Sequence, residues 1–301
     1  MNGTPLVSVI IPTYRRAHLV VRAVASVLRQ TQGDLEVLVV DDSSPDDTAA
    51  VVRAIADTRV RYLRHDVNKG LPAVRNTGIR AARGRYIAFL DDDDEWREDK
   101  LEKQLKLLPE YDAVLCMGIA DGYPLRVHNG SRITLDDLRR GSFNPSSLLA
   151  RAEVLRDVLF DESLRQGEDW DAFIRIGQYY SIGWVPEPLL IYNEGGHDRM
   201  TNEKKHLRGP DLEKRTAVLY KHRLFFGERW FQYHLADTFL AYIASRSNRI
   251  ECLAYAVRRC GVRPVAANLV DRMKRRIQRR WWRNRLDRPR ATPSAAKSYA
   301  S

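Results

Sequence analysis

Apolar and polar positions follow two alternating periods along the first hundred residues. Short apolar runs at Leu6–Ile11 (LVSVII), Leu35–Val40 (LEVLVV), Val60–Leu63 and Tyr86–Leu90 (YIAFL) read as buried strands. Between the first two, Ala17–Arg29 carries apolar residues at 20, 21, 24, 27 and 28, the spacing of an amphipathic helix. Asp46–Ala56 and Leu71–Ala82 are predicted as further helices, the second closed by Gly84. The polar cluster Asp41-Asp42-Ser43-Ser44-Pro45 stops the second strand and offers an N-cap to the helix at 46. This alternation predicts an α/β fold, a mostly parallel central sheet flanked by helices. Such sheets bind ligands beyond the carboxyl ends of their strands. Pro12-Thr13-Tyr14, Asp41-Asp42-Ser43 and Asp91–Asp94 all follow strands, so they are expected to converge on one edge.

Beyond residue 99 the pattern loosens. Lys100–Leu108 reads as a helix and Asp112–Met117 as a strand. A polar stretch, Phe143-Asn144-Pro145-Ser146-Ser147, precedes a helix that opens near Gly167-Glu168-Asp169-Trp170. From about 206 the chain reads as helical and rich in Arg and aromatics, with no internal repeat. No run reaches the roughly 18 apolar residues of a membrane span, and the first residues lack the basic and apolar regions of a signal peptide. Three scattered cysteines, Cys116, Cys252 and Cys260, argue against a disulfide framework or a cysteine–zinc site and suit a reducing compartment. The expected location is cytoplasmic, with a peripheral place on the inner face of the membrane.

Charge changes the picture for one segment only. The 301 residues carry 50 Lys+Arg and 39 Asp+Glu, a net +11, which suits nucleic acid, an anionic membrane or an anionic substrate. Residues 272–290 hold ten Arg/Lys against one acid, Asp287, leaving only +2 for the rest of the chain. Within them Met273, Ile277, Trp281 and Leu286 recur at about helical spacing, and Trp282 pairs with Trp281. A basic helix with paired Trp reads as an anchor on an anionic membrane surface. No nucleic-acid reading motif accompanies it, so no nucleic-acid partner is expected. The last residues, 291–301, are expected to be disordered.

Asp91-Asp92-Asp93-Asp94-Glu95 directly follows a strand. Five adjacent acids repel one another and serve no sheet or helix. Asp91 and Asp93, one residue apart, can face the same hard cation, and oxygen ligands suit Mg²⁺ or Mn²⁺ bridging to phosphates. The chain has no G-x-x-x-x-G-K-[ST] and no G-x-G-x-x-G after its first strand, which excludes the usual P-loop and dinucleotide cradles.

Five motifs in order carry a resemblance: Val7–Arg16 (VSVIIPTYRR), Val39–Ser44 (VVDDSS), Asn68-Lys69-Gly70 with Ala73–Asn76 and Gly78, Phe89–Asp94 with Trp96, and Gly167–Asp171 (GEDWD). Over about residues 5–205 the chain resembles the inverting family 2 glycosyltransferases of GT-A fold. The resemblance implies a nucleotide-sugar-binding half at 1–110 and an acceptor and catalytic-base half at 111–205; beyond it, 206–301 is read from the residues as a helical, basic extension. It implies that Pro12, Thr13 and Tyr14 contact a uracil-type base, and that Asp42, with Asp41, reads the base's imide N–H. Arg16, Arg75, Asp91 and Asp92 complete the expected nucleotide site. Asp93, with Asp91 and His197, is the expected metal set, for Mn²⁺ or Mg²⁺. Asp169 matches the catalytic base. Glu168, Trp170, Asn144, Ser146 and Ser147 match positions that face the acceptor. The implied partners are a UDP-sugar and a glycan or lipid-linked acceptor in cell-envelope polysaccharide synthesis. Two alternatives stay open at this point. A sugar-phosphate nucleotidyltransferase would want a Gly-rich basic loop after the first strand, and a binding scaffold would not need Asp169.

Overall fold

The computed structural model describes residues 3–193, 207, 209–246 and 248–286. Its first part alternates as β1 (Val7–Thr13), α1 (Ala17–Leu28), β2 (Leu35–Asp41), α2 (Thr48–Arg53), β3 (Val60–Arg64), α3 (Leu71–Ala81) and β4 (Tyr86–Phe89). There follow β5 (Glu95–Trp96), α4 (Lys100–Leu105), β6 (Ala113–Ala120), β7 (Tyr123–Pro124), β8 (Arg132–Ile133) and α5 (Leu135–Arg140). A 3₁₀ turn (Pro145–Ser147) leads into β9 (Leu149–Arg151), α6 (Ala152–Val158), α7 (Glu168–Tyr179) and β10 (Ile182–Tyr192). The remainder is helical: α8 (Gly209–Glu213), α9 (Ala217–Lys221), α10 (Arg223–Phe239), α11 (Arg249–Cys260) and α12 (Val262–Leu286).

One sheet runs in the order β3-β2-β1-β4-β9-β6-β10-β5. The first four of these strands are mutually parallel, as the alternation predicts. The other half is mixed: β9 lies antiparallel between β4 and β6, and β10 pairs parallel with β6 but antiparallel with β5. Two apolar layers cover its faces. Ile10, Leu38, Ile87 and Phe89 point to one face, toward α3, α6 and α7, while Val9, Val37, Val39 and Ala88 point to the other, toward α1. Successive side chains of a strand alternate in direction, which is why the near-continuous apolar runs fill both layers.

The path of α3 is set by a glycine. A Cβ at Gly78 would sit 2.5 Å from Ile10 Cγ2, so only glycine lets this helix lie so close on β1. That close approach places the second turn of α3, with Arg75, against the strand ends. α2 is shorter than its apolar pattern predicts, Thr48–Arg53; Asp46 lies before it and accepts from the Thr48 N–H and hydroxyl.

A third apolar cluster joins α7 to the C-terminal helices through Leu164, Ile174, Leu219, Phe231, Leu235 and Ala256. In α12, Arg272 donates to Asp237 of α10, at 2.8 Å to its carbonyl and 2.7 Å to its carboxylate. The first basic residue of the tail is thus part of helix packing. Met273 and Ile277 beyond it are exposed. The rest of the predicted stripe, Trp281, Trp282 and Leu286, lies on α12 beyond the described side chains, and 287–290 lie outside the described residues. Among the described residues no helix is long and apolar enough to cross a membrane. The three cysteines are free and buried.

Candidate active site at the strand ends

The carboxyl ends of β1, β2 and β4 open on one edge of the sheet, and the acidic segment 91–94 leaves β4 there. Backbone and side chains hold it tightly. The Asp91 N–H donates to Ser146 Oγ at 3.0 Å, the Asp94 N–H to the Asp91 carbonyl at 3.1 Å, and the Asn193 N–H to Asp94 Oδ1 at 3.3 Å. Trp96 Nε1 donates to the Ser146 carbonyl at 2.8 Å. Asp92, Asp93 and Asp94 are buried, while the Asp91 side chain keeps 28% of its surface exposed. Asp91 is therefore the acid that faces outward.

Two arginines offset this charge. Arg16 Nη1 donates to Asp92 Oδ1 at 2.7 Å and to Asp93 Oδ2 at 2.9 Å. Burial nevertheless dominates at Asp92 and pushes its carboxyl up to about 7, the Arg16 charge pulling it only part of the way back. Arg75 is fully buried on α3. Its Nη2 donates to Asp91 Oδ1 and its Nη1 to Glu168 Oε1, both at 3.1 Å, and its guanidinium lies 5.2 Å from the Phe160 ring centre. One side chain thus ties the acidic segment after β4 to the start of α7.

α7 begins after Gly167, whose φ of +79° favours glycine. Its first turn holds Glu168, Asp169 and Asp171, placed at the positive end of the helix dipole. Burial and the neighbouring Asp169 charge raise Glu168 to about 7, against the pull of Arg75. Burial also raises Asp169 above the usual carboxylate range, opposed by Arg75, by the Trp170 N–H at 2.7 Å and by the Ser142 hydroxyl. Two adjacent carboxylates in one buried pocket cannot both ionise easily, so the pair titrates as a unit shifted upward.

At the other end of the edge, Asp42 takes the Lys69 N–H (2.8 Å) and His65 Nδ1 (2.8 Å) on Oδ1 and the Gly70 N–H (2.7 Å) on Oδ2. Gly70 has a φ of +89°, the conformation that turns its N–H inward. Asp41 accepts from the Ser44 N–H at 2.9 Å and from the Tyr62 hydroxyl, which burial and this bond push up to about 12. Pro12 and Thr13 end β1 in register with Val40 and Asp41, and Tyr14, 40% exposed, stands just beyond them.

The structure thus brings Pro12, Thr13, Tyr14, Arg16, Asp41, Asp42, Arg75 and Asp91–Asp93 to one edge, with Glu168 and Asp169 beside them. Four expected acceptor residues, Asn144, Ser146, Ser147 and Trp170, make bonds within the scaffold. Ser146 and Ser147 are buried and brace the acidic segment and the 3₁₀ turn, because their hydroxyls serve Asp91, Asp94 and the Asn144 carbonyl. Trp170 turns away toward the C-terminal helices: its Nε1 donates to the Leu138 carbonyl at 2.7 Å, and its ring meets Phe226 and His234 edge-on. Asn144 Oδ1 accepts from the Ser146 N–H and caps that turn. His197 lies outside the described residues. His65, which sequence reasoning assigned no role, is bonded to Asp42; it sits more than twenty residues from its partner, so no local motif marks it.

Among the described residues no three His, Cys, Asp or Glu side chains are arranged to hold a metal ion by themselves. The two carboxylates expected from the sequence to hold a cation, Asp91 and Asp93, are separated by one residue, Asp91 facing outward and Asp93 buried against Arg16. That suits a cation such as Mg²⁺, which takes one or two protein carboxylates and completes its shell with water and phosphate oxygens.

The model of the family described as glycosyl transferase family 2 matches residues 8–157. WcaA of Escherichia coli K12, a glycosyl transferase assigned to colanic acid biosynthesis, is 30% identical over 223 residues, 69% of this chain and 80% of WcaA. The chain belongs to glycosyl transferase family 2. Another relative is WfgD of Escherichia coli, a UDP-Glc:α-D-GlcNAc-diphosphoundecaprenol β-1,3-glucosyltransferase. It is 43% identical over 103 residues, covering 34% of this chain and 41% of WfgD. Three longer relatives from Rickettsia are spanned for about a third of their length. Among solved structures, S. aureus TarS 1-349 in complex with UDP-GlcNAc superposes with a TM-score of 0.63 at 17% identity, covering 89% of this chain and 92% of that one. The architecture is thus GT-A.

Proposed function

We propose that this family 2 glycosyltransferase moves a sugar from a UDP-sugar to a hydroxyl of a glycan or lipid-linked acceptor, with inversion, in cell-envelope polysaccharide synthesis. The observation that carries the reading is Arg75. It joins Asp91, on the nucleotide side, to Glu168, next to Asp169, so that donor and base are held in one frame. The names of WcaA, WfgD and TarS support the polymer and the uridine donor.

In this reading Asp169 removes the proton of the acceptor hydroxyl as that oxygen attacks the anomeric carbon, and the nucleoside diphosphate leaves. Its raised pKa makes it a stronger base than an exposed aspartate. The Trp170 N–H fixes its orientation, and Glu168, held by Arg75, keeps like charge beside it. Asp42 has about four acceptor sites and three are taken, which leaves one on Oδ2 for a base N–H. Asp91 and Asp93 hold Mn²⁺ or Mg²⁺, which when bound supplies positive charge to the departing diphosphate. The basic segment 272–290 places the enzyme on an anionic membrane surface, where a lipid-linked acceptor resides.

The test is nucleotide release from a UDP-sugar panel. UDP is expected and pyrophosphate is not; pyrophosphate would indicate a nucleotidyltransferase instead. Asp169→Asn is expected to cut transfer about 10²- to 10⁴-fold while UDP still binds. Full activity in that variant would favour the scaffold reading and reject Asp169 as the base.

A further inference from the structure

His65 directly follows β3 and is buried between the strand ends and α3. Its backbone N–H donates to the Asp41 carbonyl at 2.9 Å, which continues the pairing of β3 with β2 and carries the ring to Asp42. On one side its Nδ1 lies 2.8 Å from Asp42 Oδ1; on the other its Nε2 lies 2.9 Å from Thr77 Oγ1 on α3. These two partners decide which ring nitrogen carries the hydrogen. A carboxylate only accepts, so Nδ1 donates to Asp42. In a neutral ring Nε2 is then the acceptor, and the Thr77 hydroxyl, which can play either part, donates to it. Thr77 thereby fixes the tautomer. The next residue, Gly78, packs directly on Ile10 of β1, so the hydroxyl is presented by a helix set closely on the sheet.

The other donors to Asp42 are backbone groups of the stretch that follows. The Lys69 N–H shares Oδ1 with His65, the Gly70 N–H takes Oδ2, and Asn68 Nδ2 donates to the Asp42 carbonyl at 3.3 Å. Lys69 and Asn68 are exposed, whereas the His65 ring is buried. The ring is thus the side-chain donor among the three that hold the carboxylate, and it comes from the interior. Removing it leaves the buried Oδ1 one donor short and frees the carboxylate to turn.

We propose that His65, with its tautomer set by Thr77, is a positioning residue for base selection. It keeps the remaining lone pair of Asp42 Oδ2 on the base, so that the site takes a pyrimidine with an N–H at N3 and rejects one with a lone pair there. Uracil presents the N–H. Cytosine presents a lone pair, which would meet the carboxylate's own. The inference rests on the reading of Asp42 as the residue that meets the base of the donor nucleotide.

The first measurement needs no nucleotide. A long-range ¹⁵N–¹H spectrum of the ¹⁵N-His-labelled full chain at pH 8, with the His65 signals assigned by their loss in His65→Asn, is expected to show hydrogen on Nδ1 and none on Nε2. Hydrogen on Nε2 alone overturns the proposal. The second is calorimetric affinity for UDP and for CDP in one Mn²⁺ buffer. The two share ribose and diphosphate, so their ratio isolates the base edge. Wild type is expected to favour UDP by at least about tenfold, and His65→Leu to lower that ratio about tenfold by weakening UDP alone. His65→Asn, whose amide N–H can stand in for Nδ1–H, is expected to restore most of the ratio. Thr77→Val, which does not touch Asp42, is expected to lower it about threefold. In turnover the His65→Leu loss is expected in KM for the UDP-sugar, with kcat at saturating donor changed by less than about twofold. A merely structural His65 would weaken UDP and CDP equally and lower Tm. That pattern, or an unchanged ratio in His65→Leu, overturns the proposal; should His65→Leu not fold, an unchanged ratio in Thr77→Val overturns it. A wild type that binds neither nucleotide, with the Nδ1–H spectrum intact, overturns the donor reading itself and the base-selection role with it.

Discussion

Replacing Arg75 by Met tests whether one guanidinium holds the two halves of the site together. Met matches much of the volume, so the cavity term is small and the electrostatic term dominates. Arg75 makes two charge-assisted hydrogen bonds at 3.1 Å, each worth about 1.5–3 kcal/mol, and breaking a buried ion pair from one side costs about 3–5 kcal/mol. The loss depends on pH. Glu168 titrates at about 7 in the folded protein against an ordinary value of 4.5. At pH 5 it is protonated and accepts from Arg75 only as a neutral group, so the charged pairing lost is that to Asp91, about 1.5–3 kcal/mol. At pH 8 it is ionised, and the full 3–5 kcal/mol is expected. Urea unfolding of wild type and Arg75→Met at both pH values, with linear extrapolation, gives the two differences. Glu168→Gln in the same background is expected to restore about 1–3 kcal/mol at pH 8 and much less at pH 5. A loss below about 1 kcal/mol, or one identical at both pH values, would refute the tether.

Other outcomes follow from the same geometry. Asp93→Ala is expected to remove the dependence of UDP affinity on Mn²⁺, read by calorimetry with and without the ion; unchanged dependence sinks the metal assignment. Because burial raises Glu168 and Asp169 together, kcat/KM for transfer is expected to climb with pH through an apparent pKa above the usual carboxylate range, and a pH profile with the midpoint of an exposed aspartate contradicts the coupled pair. Asp92 also sits at about 7, so its ionisation costs the folded state: stability from this group is full below about pH 4 and lost as pH rises through 7. Asp92→Asn is accordingly expected to narrow the Tm difference between pH 5 and pH 8. Removing residues 278–301 spares the Arg272–Asp237 contacts yet takes six arginines, and is expected to abolish binding to anionic vesicles while donor hydrolysis persists. Equal co-sedimentation of the two forms rejects the membrane reading.

Much of the nucleotide edge was legible in the linear chain. β1 to β4 are short apolar runs whose polar stops are adjacent in sequence, and parallel βαβ connection leaves little choice about where those stops meet. The acids at 91–94 announce themselves because neither sheet nor helix needs them, whereas Glu168 and Asp169 stood out only through the resemblance, since acids suit the first turn of any helix. β9 and β10 were not legible. β9 is three residues long, and β10 carries Pro186 and Pro188 with a register shift between Val185 and Leu190, so no period survives to mark it. That missing half is what makes the sheet mixed.

Side-chain direction was the other hidden quantity. Ser146, Ser147 and Trp170 occupy positions close to the reacting centre in sequence, yet their atoms point into the scaffold. Arg75 reaches Glu168 across 93 residues, and His65 reaches Asp42. Local patterning determined which elements form and which residues carry charge at their ends, because periodicity and strand stops are short-range properties. Which carboxylates share a guanidinium, which are raised by burial, and which imidazole nitrogen faces a carboxylate were decided only by tertiary packing. Desolvation and pairing depend on atoms brought together from distant parts of the chain.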